Sequence, residues 1–121
     1  MDPVELLHRY HAALNDVDLD RVESMFAENA EYLSPGIGAI SSRTAIIAAM
    51  RSYFAEYPDQ VSIDDRVEAV GTDRARSQWR LKATSKSTGE AYVRRGTETI
   101  RFTSEGLILR VEVEDGYVSR T

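Results

Sequence analysis

Glu98 is a candidate functional residue because of the side chains that are predicted to surround it. Glu98 alternates with Ile100 and Phe102, and side chains two residues apart in a strand point to the same face. Glu98 is therefore predicted to lie among bulky apolar side chains. A buried carboxylate without a partner costs several kcal/mol or becomes protonated. It follows that Glu98 is either paired with an arginine, such as Arg94, or available as an acid or a base.

The two histidines provide the next candidate. His11 repeats with Leu7 and Leu14 at helical spacing, which predicts either a satisfied histidine at the edge of the core or a group that moves protons or contacts a ligand. His8 lies three residues earlier, and two histidines alone do not complete a metal site. The sequence has no cysteine, P-loop, GxGxxG, HExxH or GxSxG motif. We therefore expect no metal and no cofactor.

Composition narrows the class of protein. A chain of 121 residues has a common size for one domain, so a single domain is expected over residues 1–121. Apolar residues make up 42% and charged residues 29%, which is typical of a folded globular chain. Twenty acidic against 15 basic residues leave a net charge of -5, so no nucleic-acid partner is expected. The acidic pair Asp64 and Asp65 is expected on the solvated surface.

No segment has the pattern of an export or membrane signal. Residues 1–5 lack a basic stretch followed by an apolar one, and no run approaches the roughly 20 apolar residues of a membrane span. The absence of cysteine is compatible with the cytosol. We expect a cytoplasmic protein without a membrane partner.

Three helices are predicted before the main strands. Asp2, followed by proline, predicts the cap of a first helix over residues 3–15. Asp18 predicts the cap of a short second helix. A third helix is predicted from about residue 42 to Pro58, where apolar side chains repeat at helical spacing. These are Ile46, Ile47, Met50, Tyr53, Phe54 and Tyr57.

Strands dominate the rest of the chain. A short strand is predicted over residues 30–34, followed by a loop that contains Pro35, Gly36 and Gly38. After Pro58 the apolar period changes from 3.6 to two. Further strands are predicted over 61–70, 74–85, 91–103 and 107–115. Short turns between them predict an α+β fold with a largely antiparallel sheet and helices on one face.

Several motifs carry a family resemblance. The segment RYHAALN at residues 9–15, DLD at 18–20 and MFA at 25–27 resemble the N-terminal helices of ketosteroid isomerases, and ETIRF at 98–102 is similar to their late acid-bearing strand. The order of elements resembles the nuclear transport factor 2-like superfamily, which includes SnoaL-like polyketide cyclases. The resemblance implies a cone-shaped fold, in which three N-terminal helices pack on a curved mixed, mostly antiparallel sheet and enclose a pocket.

The resemblance also implies roles for individual residues. Tyr10 matches the tyrosine that hydrogen-bonds an oxyanion, and Glu98 falls where the isomerases have a protonated acid. Ser34 stands where those enzymes have their aspartate base, and a hydroxyl without an adjacent base does not shuttle protons at neutral pH. Some relatives of the resembled family carry their catalytic carboxylate on another strand, which implies Glu98, Asp115 or Asp65 as a substitute for the base. The expected catalytic set is Tyr10, Glu98, His11 and Asp115.

The walls of the expected pocket are mostly apolar, and for Phe54, Trp79 and Phe102 plain hydrophobic core is the more common role of such residues. The expected wall residues are Tyr32, Ser34, Met50, Phe54, Trp79, Phe102, Val111 and Val113. The expected ligand is a small apolar carbonyl or hydroxyl compound, on which an active enzyme would perform isomerisation, cyclisation or hydration. The alternative is a noncatalytic ligand-binding or protein-interaction module that lacks the base.

A polar strip on the outward face of the sheet predicts the assembly state. It comprises Arg76, Gln78, Arg80, Arg95, Thr97, Thr99 and Arg101. Such sheet faces commonly dimerise in proteins of the resembled family. The resemblance therefore implies a homodimer formed through the sheet.

Overall fold

A computed structural model describes residues 1–35 and 38–121. These residues contain three helices and six strands, with four consecutive strands at the end of the chain, as the predicted α+β class implies. The elements are α1 (Pro3–Asn15), α2 (Leu19–Met25), β1 (Phe26–Ser34), β2 (Gly38–Ser41), α3 (Arg43–Glu56), β3 (Val61–Ala69), β4 (Arg74–Thr84), β5 (Ala91–Phe102) and β6 (Ile108–Arg120).

The helices begin at the residues that the sequence indicates. The Asp2 carboxylate accepts from the backbone N–H of Val4 at 3.0 Å, and a proline follows it at the first helical position. Asp18 caps α2 and Ser42 caps α3 through similar bonds at 3.2 Å. Pro58 follows shortly after the end of α3. All three predicted helices are therefore confirmed.

The strands form one mixed sheet in the order β2-β1-β6-β5-β4-β3. The pair β1 and β6 is parallel and the other pairs are antiparallel. The prediction of a mixed, mostly antiparallel sheet is confirmed. Helix α1 contacts β3, β4 and β5, whereas α3 contacts β1 and β2.

Three strand boundaries differ from the prediction. Gly38 was assigned to a loop but begins β2, which pairs with β1; Gly36, in the same predicted loop, lies outside the described residues. The first strand begins at Phe26 rather than at residue 30, because the chain is already extended where α2 ends. The last strand runs to Arg120 rather than to residue 115, because β5 offers hydrogen-bonding partners as far as Tyr92.

The predicted faces of β4 and β5 are confirmed. Along β4 the buried side chains alternate strictly with exposed ones. The buried ones are Ala75, Ser77, Trp79, Leu81 and Ala83. On β5 Glu98 lies on the same inner face as Ile100 and Phe102 and is only 7% exposed. The sheet thus places a carboxylate among the core side chains.

A reciprocal pair of hydrogen bonds fixes the end of α1 on the sheet. The Asn15 side-chain amide donates to the backbone oxygen of Ser62 on β3, and its oxygen accepts from the Ser62 N–H, both at 3.0 Å. This connection brings the last turns of α1 against β3. His11, one turn before Asn15, consequently faces both β3 and β5.

Candidate functional site

A mostly apolar cavity of about 100 Å³ lies between α1, α3 and the sheet. Nine of the residues assigned from the sequence line it. They are Tyr10, His11, Tyr32, Ser34, Met50, Phe54, Trp79, Glu98 and Val113. Further wall residues are Leu14, Ile40, Ile46, Ala49, Tyr53, Gln60, Ser62, Leu81 and Arg94.

Three assigned residues lie elsewhere. Phe102 and Val111 are buried in the hydrophobic core and are not part of the cavity wall. Asp115 does not line the cavity either, but it binds Arg94, which does. Its position therefore differs from the one expected for a group that touches a ligand.

His11 joins two carboxylates in a chain of hydrogen bonds. Its Nδ1 lies 2.8 and 2.9 Å from the two carboxylate oxygens of Asp64, and its Nε2 lies 2.5 Å from Oε1 of Glu98. Asp64 also accepts from the Ser77 hydroxyl at 2.6 Å. His11 is 8% exposed, so the chain is largely shielded from water. Low polarity strengthens such hydrogen bonds between charged groups.

The protonation of His11 follows from these contacts. Burial lowers the pKa of His11, but the charge of Glu98 and the hydrogen bonds to both carboxylates raise it, with the net result that the pKa rises from 6.5 to about 10. Burial raises the pKa of Asp64, yet the hydrogen bond and charge of His11 lower it below its ordinary value. His11 is therefore an imidazolium at neutral pH, and both of its ring N–H groups donate.

Asp64 was expected on the solvated surface, and the structure corrects this. Its side chain is 14% exposed. A bulge follows Asp64 in the pairing of β3 with β4, and Asp65 points outward to Arg80, with oxygen to Nε distances of 2.8 and 3.0 Å. Asp65 is thus a surface residue, as the sequence predicted. The alternative that Asp65 supplies a carboxylate to the pocket is excluded by this orientation.

Glu98 is not paired with an arginine among the described residues, so the first alternative anticipated for it is wrong. Its Oε1 accepts a hydrogen bond from His11 instead. Arg94 instead binds Asp115, through Nε at 3.0 Å and Nη2 at 2.5 Å to the same oxygen. The two charged clusters of the cavity are therefore separate: Asp64–His11–Glu98 and Arg94–Asp115.

Tyr10 supplies an uncommitted hydroxyl. Its side chain is 1% exposed, and its oxygen has no hydrogen-bond partner among residues 1–35 and 38–121. Burial, followed by the charge of Glu98, raises the pKa of Tyr10 well above its ordinary value. The phenol therefore keeps its proton and can only be satisfied by donating to, or accepting from, a further group. Its ring lies 5.5 Å from the ring of His11 between centroids.

Trp79 forms the floor between the two charged clusters. It pairs directly with Gly96 on β5, and a Cβ at Gly96 would lie 3.0 Å from Cζ2 of the indole and 2.2 Å from the backbone oxygen of Glu114. No other residue fits at this position without a shift of the backbone. The guanidinium carbon of Arg94 lies 5.2 Å from the centre of the indole ring.

Neither a metal cluster nor a spanning helix is found in the part of the chain that the structure describes. No group of three His, Cys, Asp or Glu side chains there is arranged to hold a metal ion. None of the described helices has the length and apolar content needed to cross a membrane.

The fold resembles that of several solved nuclear transport factor 2-like structures. Δ5-3-ketosteroid isomerase from Mycobacterium sp. aligns over 100% of both chains with a TM-score of 0.84 and 14% identity. SalBIII, an epoxide hydrolase/cyclase-like enzyme with a role in pyran ring formation in the polyether salinomycin, aligns over 97% of this chain and 94% of its own, with a TM-score of 0.84 and 18% identity. A nuclear transport factor 2-like protein from Exiguobacterium sp. aligns over 91% and 97%, with a TM-score of 0.80 and 17% identity.

The family follows from the sequence itself. The SnoaL-like domain family matches residues 7–111. The chain therefore belongs to the SnoaL-like domain family, and the predicted superfamily is confirmed. No protein of curated function matches the chain.

Proposed function

We propose that this SnoaL-like protein binds a small, mostly apolar molecule with a carbonyl or hydroxyl group and transfers protons on it without a cofactor. The observation that carries the proposal is the buried chain Asp64–His11–Glu98, which ends at the wall of an apolar cavity. Isomerisation, cyclisation and hydration all need such proton transfers. The structural likeness to a ketosteroid isomerase and to a cyclase-like enzyme supports this range of reactions.

Glu98 is the group that exchanges a proton with the ligand. Its Oε1 accepts from His11, which leaves Oε2 to face a ligand in the cavity. A carboxylate in this position removes a proton from a carbon next to a carbonyl or from a hydroxyl, and returns it to another atom of the same molecule. Tyr10 donates to the ligand oxygen on which negative charge develops.

His11 acts as a positioning residue for Glu98. As an imidazolium it fixes the orientation of the carboxylate and balances its charge, while Asp64 holds the opposite side of the ring. The arrangement compensates for Ser34, which stands where the resembled isomerases have their base. Ser34 lines the cavity but is a wall residue in this proposal.

The other residues that the sequence assigned to the site have structural roles in this proposal. Tyr32, Met50, Phe54, Trp79 and Val113 form apolar walls against the ligand. Phe102 and Val111 support those walls from the core, and Asp115 acts through Arg94. In this arrangement the helices and a curved sheet surround the ligand as a cone, and residues 1–121 work as one domain.

A ligand screen tests the proposal. Steroids, polyketide-like aromatics and small enones are added to the protein, and the melting temperature is measured. A compound that binds the folded state at 100 times its Kd stabilises it by about 2.7 kcal/mol. We expect hits among compounds with a carbonyl or hydroxyl group, and we expect Tyr10→Phe to reduce the shift because the ligand loses one hydrogen bond.

The control is Tyr57→Phe, which changes a tyrosine at the end of α3 that does not line the cavity. It should leave the shift unchanged. No change in melting temperature with any of the three compound classes would favour the alternative, a noncatalytic protein-interaction module. A shift that Tyr10→Phe leaves intact would place the ligand elsewhere.

We also propose that two copies pair through the outer face of the sheet. That face combines the predicted polar strip with exposed apolar side chains, among them Ile63 at 50% and Val93 at 40% exposure. Tyr117 lies there as well, with the Arg95 guanidinium 5.0 Å from its ring centre. Mixed aromatic, arginine and apolar surfaces are typical of protein interfaces.

Light scattering at micromolar concentration tests the dimer. We expect twice the mass of 13.6 kDa for the native chain and a shift toward the monomer for Val93→Asp. Glu114→Gln serves as the conservative control. A monomer mass for the native chain would count against pairing through this face.

A further inference from the structure

The cavity has a second polar end around Arg94, opposite the end that holds Glu98. Arg94, Gly96 and Glu98 follow one another on the inner face of β5, and the glycine leaves the space between the two charged side chains to the Trp79 indole. At about 3.3 Å per residue, the backbone positions of Arg94 and Glu98 are roughly 13 Å apart. A ligand in contact with both ends must be elongated.

The Arg94 end is rich in hydrogen-bond donors. Arg94 directs Nε and Nη2 to one oxygen of Asp115, and its side chain is 12% exposed. The indole N–H of Trp79, a residue that is 6% exposed, has no hydrogen-bond partner among the described residues. The hydroxyl of Tyr53 is also buried at this end. Burial raises its pKa, and the Arg94 charge lowers it by a smaller amount. Within the described part of the chain, however, the hydroxyl has no hydrogen-bond partner of ordinary geometry.

Buried donors of this kind require an acceptor. An indole N–H offers only a proton, and a guanidinium offers five, so neither can be satisfied by another donor. Leaving such a group unpaired costs about 1–3 kcal/mol. The wall at this end therefore favours a ligand atom that accepts hydrogen bonds.

Charge decides which acceptor fits. Asp115 already neutralises Arg94, and the cluster Asp64–His11–Glu98 carries one positive and two negative groups when both carboxylates are ionised. The cavity as a whole then has one excess negative charge. A ligand carboxylate would add a second in a poorly hydrated space, whereas a neutral oxygen adds none.

We infer that the Arg94 end is a subsite for a neutral oxygen acceptor, such as a ketone or quinone carbonyl, on an elongated aromatic or alicyclic ligand. This inference rests on the proposed function, because it names the class of ligand for the same cavity. The body of the ligand lies along the Trp79 side chain, with the reacting atoms at Glu98 and the neutral oxygen at Arg94.

Three naphthalene probes of similar shape test the subsite. They are 2-acetylnaphthalene, which has the neutral acceptor, 2-ethylnaphthalene, which lacks it, and 2-naphthoate, which is anionic. Trp79 is the single tryptophan of the chain and lines the cavity, so the change in its fluorescence reports binding directly. We expect 2-acetylnaphthalene to bind about tenfold more tightly than either of the other two.

Paired variants locate the acceptor. Arg94→Met should reduce the preference for 2-acetylnaphthalene over 2-ethylnaphthalene to about one, whereas Arg95→Met, the next residue but on the outer face, should retain it. Tyr10→Phe should also retain it, because Tyr10 lies at the Glu98 end. A preference that survives Arg94→Met and disappears in Tyr10→Phe overturns the subsite.

A variant that is expected to bind a probe more tightly rules out misfolding as the explanation for lost binding in the other variants. Asp115→Asn leaves the Arg94 charge without a counterion, so the affinity for 2-naphthoate should rise about tenfold. No rise overturns the charge argument. Equal binding of all three probes to the native protein overturns the subsite but leaves the Glu98 end, which the Tyr10→Phe comparison in the ligand screen tests independently.

Discussion

Replacing Glu98 with glutamine is expected to lower the turnover of a converted substrate by at least tenfold, and by about 10²-fold if proton transfer limits the rate. Glutamine has nearly the same shape as glutamate but cannot accept the proton. Its amide also gives up the charge that pairs with the His11 imidazolium. The measurement is kcat, with the Kd of a neutral ligand determined in parallel.

The separation of kcat from Kd makes this substitution informative. A role in catalysis predicts a large loss in kcat with little change in Kd, because a neutral ligand does not depend on the charge of the carboxylate. Glu114→Gln, on the exposed face of β6, is the matched control and should have native kinetics. An unchanged kcat in Glu98→Gln would remove Glu98 from the reaction.

Much of this site could be anticipated from local patterns. Alternation along β5 placed Glu98 among apolar side chains, and the helical stripe of α1 placed His11 on its buried side. These inferences succeed because the periods of a strand and a helix fix which side chains share a face. The same reasoning identified the inner face of β4.

Asp64 was missed for a physical reason. The adjacent charges of Asp64 and Asp65 indicated solvated surface, but in the structure Asp64 turns inward, whereas the apolar Val61 and Ile63 of the same strand are exposed. β3 is an edge strand with a bulge after Asp64, so its apolar residues do not determine its inner face. The only signal was indirect: a buried imidazolium at His11 has two ring N–H groups, and Glu98 can accept from only one of them.

The Arg94–Asp115 pair depends on how β5 and β6 are aligned. The residue pattern of one strand alone does not reveal this alignment. A second bulge, between Arg95 and Gly96, places Asp115 opposite Gly96 and within reach of Arg94. Sequence alone offered Arg94 as a partner for Glu98, four residues away on the same face. The choice between the two carboxylates is made by the pairing of β5 with β6.

The His11 contacts predict a fall in stability as the pH rises above neutrality. The pKa of His11 is raised from 6.5 to about 10 in the folded protein, so the native state holds a proton that the unfolded chain releases. The stabilisation is complete below pH 6.5 and is lost as the pH rises toward 10. The free energy of unfolding should fall by about 1 kcal/mol per pH unit between pH 7 and 9, where the unfolded chain has released this proton and the native state still holds it.

Urea unfolding followed by circular dichroism at pH 6, 7, 8 and 9 measures this slope, and His11→Gln should abolish most of it. The variant should also be less stable at pH 7, because Asp64 and Glu98 lose the cation between them. His8→Gln is the matched control: His8 is three residues earlier on α1, its side chain is 55% exposed, and its Nδ1 lies 3.9 Å from Asp64. Equal slopes in the native protein and in His11→Gln would show that His11 is not the imidazolium that joins the two carboxylates, and Glu98 would then need another source of charge balance.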